Sequence, residues 1–242
     1  MCMTYNNLKF SIVIPAHNEE KFLFDCLQSI KDQQAGFDYE IIVVDNGSDD
    51  DTAGIAKNFG VKLVSDPIVG VGRARRSGTV QARGEYILHL DADTRLPVDY
   101  LVKVLDQFES DQHLACLGGQ VFFYDAPWWQ RLLRYPLFFI LTGFSYFISV
   151  RKVGVVGNNM AFKKELYDKT SGFDPDLKFA EDADLCRKLS RFGKIKIDSS
   201  LHCRVSARRF KPNFNLLVLS YNYVKMCLNR KCNYDFPKSQ DL

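Results

Sequence analysis

Apolar residues along this chain follow two alternating rhythms. Phe10-Ser11-Ile12-Val13-Ile14, Glu40–Val44, Val61–Val64 and Tyr86–Leu90 are short β-branched or aromatic runs, the pattern of buried strands. Between them the apolar positions recur at helical spacing. Glu19–Asp32 sets Phe22, Leu23, Cys26, Leu27 and Ile30 on one stripe, and Thr52–Phe59 and Gly72–Ala82 supply two further helices. Strands and helices in this order predict an α/β fold with a mostly parallel sheet, right-handed crossovers and helices on its faces. Residues 1–210 form the expected α/β domain, and 211–242 a helical tail.

Three of the strands run into polar segments: Pro15-Ala16-His17-Asn18-Glu19, Asp45-Asn46-Gly47-Ser48-Asp49-Asp50, and Asp91-Ala92-Asp93. In an open parallel sheet the carboxyl ends of the strands share one crevice, where ligands bind. Asp91 and Asp93 bring hard oxygen ligands there, suited to Mg²⁺ or Mn²⁺ on a substrate phosphate. The other reading is a helix cap, with Asp93 or Thr94 preceding a helix that Pro97 begins. Asp45 through Ser48 is either a turn or a base-binding loop in which Asp45 accepts from the imide N–H of uracil or guanine. Gly70-Val71-Gly72-Arg73-Ala74-Arg75-Arg76 opens a helix whose amides and arginines suit a diphosphate, or else present a solvated basic face. Further on, Glu181-Asp182 starts a helix running to Leu189, where acids either complement the helix dipole or supply a general base.

Composition narrows the classes. At 242 residues the chain can bury a large core, and a net charge of +3 is too small to indicate nucleic acid. Seven cysteines without a Cys-x-x-Cys pair read as free thiols of a reducing compartment, and no signal-like segment opens the chain. The expectation is a cytoplasmic protein.

The ordered set Val-Ile-Pro-Ala-His-Asn-Glu-Glu from Val13, Val-Val-Asp-Asn-Gly-Ser-Asp-Asp from Val43, Ala-Arg-Gly-Glu-Tyr-Ile-Leu-His-Leu-Asp-Ala-Asp-Thr from Ala82, and Gly-Phe-Asp-Pro through Ala-Glu-Asp-Ala-Asp-Leu from Gly172 resembles glycosyltransferase family 2. The likeness covers about Phe10 to Phe210, and the joint order of four motifs is far more specific than any one of them. It implies a GT-A (Rossmann-like) fold, a nucleoside-diphosphate sugar donor (UDP- or GDP-sugar), Mg²⁺ or Mn²⁺, and inversion at the anomeric carbon. On that resemblance Asp45 recognises the base, Asp91, Ala92 and Asp93 form the metal and diphosphate motif, and Asp182 is the catalytic base. Pro15, Ala16 and Glu19 match the loop against the nucleoside, and Arg75 matches the arginine of the family's Ala-Arg-Asn pattern, whose Asn is Arg76 here. Arg73 joins the phosphate-binding set, and Asn159 and Glu181 orient sugar or acceptor.

The processive members' Gln-x-x-Arg-Trp motif is absent. Val205-Ser206-Ala207-Arg208-Arg209-Phe210 stands there instead, similar to a segment of smaller non-processive relatives, so single transfer is expected. Arg208 and Arg209 either close over the leaving diphosphate or form a basic surface patch. His202 is a candidate third metal ligand, or an ordinary core or surface histidine.

Two apolar stretches bear on the acceptor. Trp128–Val150 carries aromatic and basic residues at its ends, and a helix from Pro136 to Val150 reaches only ~22 Å at ~1.5 Å per residue, short of a ~30 Å hydrocarbon core. An insertion at about 127–150 would lie in the membrane interface on the inner face, fold as a buried hairpin, or form a homodimer face. Phe214–Leu228 reads as a second such helix. A lipid-linked or glycan acceptor presented at a membrane surface is the leading expectation. A nucleotide-sugar-binding module or a nucleotidyltransferase would share the strand-end acids, but a binding module needs no base at Asp182 and a nucleotidyltransferase wants a Gly-rich phosphate loop after the first strand.

Overall fold

The computed structural model describes residues 8–126, 147, 155–177 and 179–208. The apolar stretch at 127–150, the tail at 211–242 and Arg209 lie outside the described residues, apart from position 147. The elements run β1 (Leu8–Ala16), α1 (Leu23–Lys31), β2 (Asp38–Asp45), α2 (Thr52–Asn58), β3 (Lys62–Ser65), α3 (Val71–Val80), β4 (Tyr86–Leu90), α4 (Tyr100–Ser110), β5 (Leu114–Phe123), β6 (Asn159–Lys163), α5 (Lys164–Asp168), α6 (Glu181–Leu189) and β7 (Lys194–Val205).

The seven strands form one sheet in the order β3-β2-β1-β4-β6-β5-β7. β6 runs antiparallel to both of its neighbours, β4 and β5, and the remaining pairings are parallel. The mostly parallel α/β sheet expected from the strand and helix rhythm is therefore present, with one reversed strand, β6, fifth in the order.

Period-two alternation sends the strands' side chains into two cores. Phe10, Ile12, Ile14, Leu88 and Leu90 pack with Leu23, Leu27 and Ile30 of α1 and Leu101, Val104 and Phe108 of α4. Val13, Ile42, Val44, Ile87 and Phe162 face the other way, against Ala74 of α3 and Leu185, Cys186 and Leu189 of α6. Strands buried on both faces explain why β1, β2 and β4 read as nearly unbroken apolar runs. Cys26, Cys116, Cys186 and Cys203 are free thiols inside these cores. The helix expected to open at Pro97 starts at Tyr100, and neither Asp93 nor Thr94 caps it.

Candidate active site

At the carboxyl ends of β1 and β2, Ala16 and Asp45 stand opposite each other in register. The loops beyond them are stitched together. The Asn46 amide donates to the Ala16 carbonyl (2.8 Å), the Asn18 amide to Ser48 Oγ (3.0 Å), and the Glu19 amide to Thr52 Oγ1 (2.8 Å). Asn18 holds φ at 56°, a left-handed conformation that asparagine tolerates better than most residues and that recurs at functional turns. Asp45 Oδ1 accepts from the Ser48 amide (3.1 Å), which fixes the carboxylate at the strand end while leaving it partly open.

Asn46, which the sequence marks only as a turn residue, is 3% exposed and organises the next loop. Its Nδ2 donates to the carbonyls of Asp66 (2.9 Å) and Ile68 (2.8 Å), and its Oδ1 accepts from the Gly70 amide (2.7 Å). Arg73 then turns back to Asp66, Nε to Oδ1 at 2.9 Å, and Ser77 Oγ bonds the other oxygen. These two donors hold the Asp66 carboxyl below its usual range despite its burial. The structure thus pairs Arg73 with Asp66.

Arg75, two positions along α3, points the opposite way and is buried. Its Nη2 donates to Asp91 Oδ1 (2.8 Å) at the end of β4, and its Nε to Glu181 Oε1 (3.0 Å) at the start of α6. Burial alone would lower the guanidinium's pKa, but Asp91, Glu181 and Asp182 outweigh it and raise it. Two glycines give α3 its close packing here, Gly157 against the Arg75 arm and Gly72 against the chain leading into α6. A Cβ on Gly157 would come within 2.4 Å of Arg75 Nη2, and one on Gly72 within 2.8 Å of the Asp174 carbonyl. Among the described residues Arg75 Nη1 is buried and has no partner, and the same holds for the side-chain oxygen Oδ1 of Asn158.

Asp182 is fixed by two amides, Gly157 N to Oδ2 (2.9 Å) and Ala183 N to Oδ1 (2.7 Å). Ala180, just before α6, sits at φ 57°, so the chain enters this helix through a strained turn. Burial first, and then the neighbouring Glu181 charge, push the Asp182 carboxyl from its ordinary 3.8 up to about 7, against the pull of Arg75 and the two amides. A carboxyl poised there can take a proton at neutral pH.

A second arginine closes the opposite side. Arg208 donates from Nε to Asp93 Oδ2 (3.2 Å) and from Nη2 to Glu19 Oε2 (2.6 Å), and its guanidinium lies 4.2 Å from the centre of the Phe22 ring. Upstream of it, Ser206 Oγ and the Ala207 amide both donate to Asp125, and Ser206 Oγ accepts from the Arg208 amide (3.2 Å).

Other sequence candidates fall elsewhere. Ala16 and Ala92 turn their methyl groups into the core, so only their backbone borders the crevice, while Pro15 is half-buried at the end of β1. Asn159 is fully buried inside the sheet, accepting from the Gly119 amide (3.3 Å) and contacting Cys203 Sγ (3.3 Å); among the described residues its neighbour Asn158, not Asn159, keeps an unpartnered side-chain oxygen. The His202 ring packs edge-on against Phe122, and among the described residues no group of three His, Cys, Asp or Glu side chains could hold a metal ion. His202 therefore does not complete a site with Asp91 and Asp93. Two hard carboxylates fit Mg²⁺ or Mn²⁺ if donor oxygens and water fill the rest of the shell, which is how these ions are commonly bound.

A mostly parallel sheet with strand-end acids gathered between helices is the architecture of the GT-A glycosyltransferases. The chain belongs to Glycosyl transferase family 2, whose profile matches residues 11–170. It is 30% identical over 195 residues to an Escherichia coli chondroitin synthase (77% of this chain, 27% of the relative) and 32% identical over 160 residues to a mouse dolichyl-phosphate beta-glucosyltransferase (58% and 49%). It thus spans about a quarter to a half of the length of these relatives. Among solved structures, the mannosyltransferase PcManGT from Pyrobaculum calidifontis in complex with GDP-Man and Mn²⁺ superposes with a TM-score of 0.70 at 18% identity, covering 93% of this chain and 65% of that one. S. aureus TarS in complex with UDP-GlcNAc gives 0.66 at 19% identity, covering 97% and 69%.

Proposed function

We propose that this crevice transfers a sugar, with inversion, from a UDP- or GDP-sugar to an acceptor hydroxyl, and that Asp182 removes the acceptor's proton. The observation that carries this reading is the Asp182 carboxyl: pinned by two amides, lifted to about 7, and joined through Gly157 and Arg75 to the strand-end Asp91. A binding module has no use for such a group. Family membership and the nucleotide sugars in PcManGT and TarS agree with it.

Asp45, fixed at the end of β2, would accept from the base, with the Pro15–Glu19 loop alongside. Asp91 and Asp93 would hold Mg²⁺ or Mn²⁺, which when bound offsets the charge growing on the diphosphate. Arg208 would donate to the same leaving group. Arg75 bridges Glu181 and Asp91 without touching substrate, and the Glu181 charge helps keep Asp182 basic enough to act. The mouse relative's name points to a lipid-linked acceptor, and a chain that docks peripherally on a membrane through residues 127–150 would meet one there. Among the described residues no helix is long and apolar enough to cross a membrane.

The test is thermal stabilisation by UDP-, GDP-, CDP- and dTDP-sugars, each with and without Mn²⁺. A ligand at 100 times its Kd should add about 2.7 kcal/mol of stability. A shift with a UDP- or GDP-sugar supports the donor site; no shift with any of the four overturns it.

A further inference from the structure

Arg208 stands on the carboxylate that a divalent cation would need. It shares its charge between Asp93 and Glu19, whose side chains are only 7% and 3% exposed, while its own is 21% exposed. Phe22 backs the guanidinium from one side. Its position is set by a short built arm: both carboxylate oxygens of Asp125, just beyond β5, are taken by Ser206 Oγ and the Ala207 amide, and Ser206 Oγ receives the Arg208 amide. The sequence gives no hint of Asp125, which lies in the bend Tyr124-Asp125-Ala126.

We propose that Asp125 and Ser206 hold Arg208 as a resident cation between Glu19 and Asp93, so that a divalent metal enters this site together with a diphosphate rather than alone. The inference rests on the donor-site reading above. The physical reason is like charge. A metal approaching Asp93 meets a guanidinium already bonded there, in a part-buried setting where the repulsion is only weakly screened. A diphosphate changes the balance because its oxygens accept from Arg208 and ligate the metal at once, so each cation gains a new partner. Asp125 is then a positioning residue: it touches neither metal nor donor, but sets where the arginine rests when both are absent.

The experiment titrates Mn²⁺ against the full chain, following free Mn²⁺ by electron paramagnetic resonance, for wild type, Arg208→Gln and Asp125→Asn, with and without UDP or GDP. Arg208→Gln should bind Mn²⁺ alone on the order of tenfold more tightly than wild type, with Asp125→Asn shifted the same way by less. Nucleotide should strengthen Mn²⁺ binding more in wild type than in Arg208→Gln. If Arg208→Gln binds Mn²⁺ no more tightly than wild type, including the case where neither binds it, the proposal is overturned. An Asp125→Asn protein that matches wild type removes Asp125 from the arm. Thermal shifts with UDP and GDP on the same samples separate the two readings: stabilisation with unchanged Mn²⁺ affinity sinks the arginine proposal alone, and no stabilisation of any protein sinks the donor site.

Discussion

Arg75 and Arg208 each bridge two carboxylates of the same crevice, yet they work in different surroundings. Arg75 is 2% exposed and locked between Asp91 and Glu181 by a helix, a strand end and the glycine at 157. Arg208 reaches Glu19 and Asp93 from beyond the last strand and keeps a face toward solvent. The same ion-pair chemistry therefore gives a buried strut on the inner side, beside the proposed base, and a part-exposed contact on the outer side, where the proposed donor would enter. Desolvation decides which: a fully buried guanidinium has no alternative partner, whereas a partly exposed one can trade carboxylate for water or phosphate.

The largest expected effect breaks the inner side. Arg75→Met leaves Asp91 and Glu181 facing each other without a cation and should cost about 3 kcal/mol or more of stability, read by urea denaturation. A loss below about 1 kcal/mol would make the strut dispensable and erase the contrast. Next, Glu181→Gln removes the charge that helps raise Asp182, so the acid limb of the pH–rate profile should move down by about one unit, a tenfold gain in rate below neutral pH. The sign follows from protonation: the base acts ionised, so wild-type turnover falls as pH drops below about 7. Stability runs the opposite way. A carboxyl lifted from 3.8 to about 7 contributes stability in full below its unfolded value and loses it as pH rises through 7. The smallest effect sharpens the outer side, where Arg208→Met should lower stability by less than Arg75→Met, because the 21% exposed guanidinium leaves a space that water can enter beside Glu19 and Asp93.

Much of the site's list was legible in the sequence and much of its wiring was not. Although caps, turns and the helix dipole draw on the same residue types, the strand-end acids stand out because apolar runs break off into them, and Glu181-Asp182 because it opens a helix. Which arginine meets them is a matter of helix phase: Arg73 and Arg75 are about 200° apart on α3, and spacing alone does not say which side faces the sheet. Spacing likewise does not separate Asn158 from Asn159: the first ends a turn and the second opens β6, buried inside the sheet. β5 contains Gly118-Gly119, which breaks the alternation that marks a strand, and β6 lies reversed between β4 and β5 through pairings distant in sequence. Asp125 is a lone acid in a turn, and its importance comes entirely from Ser206 and Ala207, more than eighty residues away along the chain.

The central claim, that Asp182 is the base of a glycosyl transfer, is tested most directly by Asp182→Asn. Donor binding and release of UDP or GDP from a bound nucleotide sugar would be measured on the same preparation. Binding should stay within about threefold of wild type while turnover falls on the order of 10² to 10⁴-fold. Turnover equal to wild type with donor binding intact would contradict it.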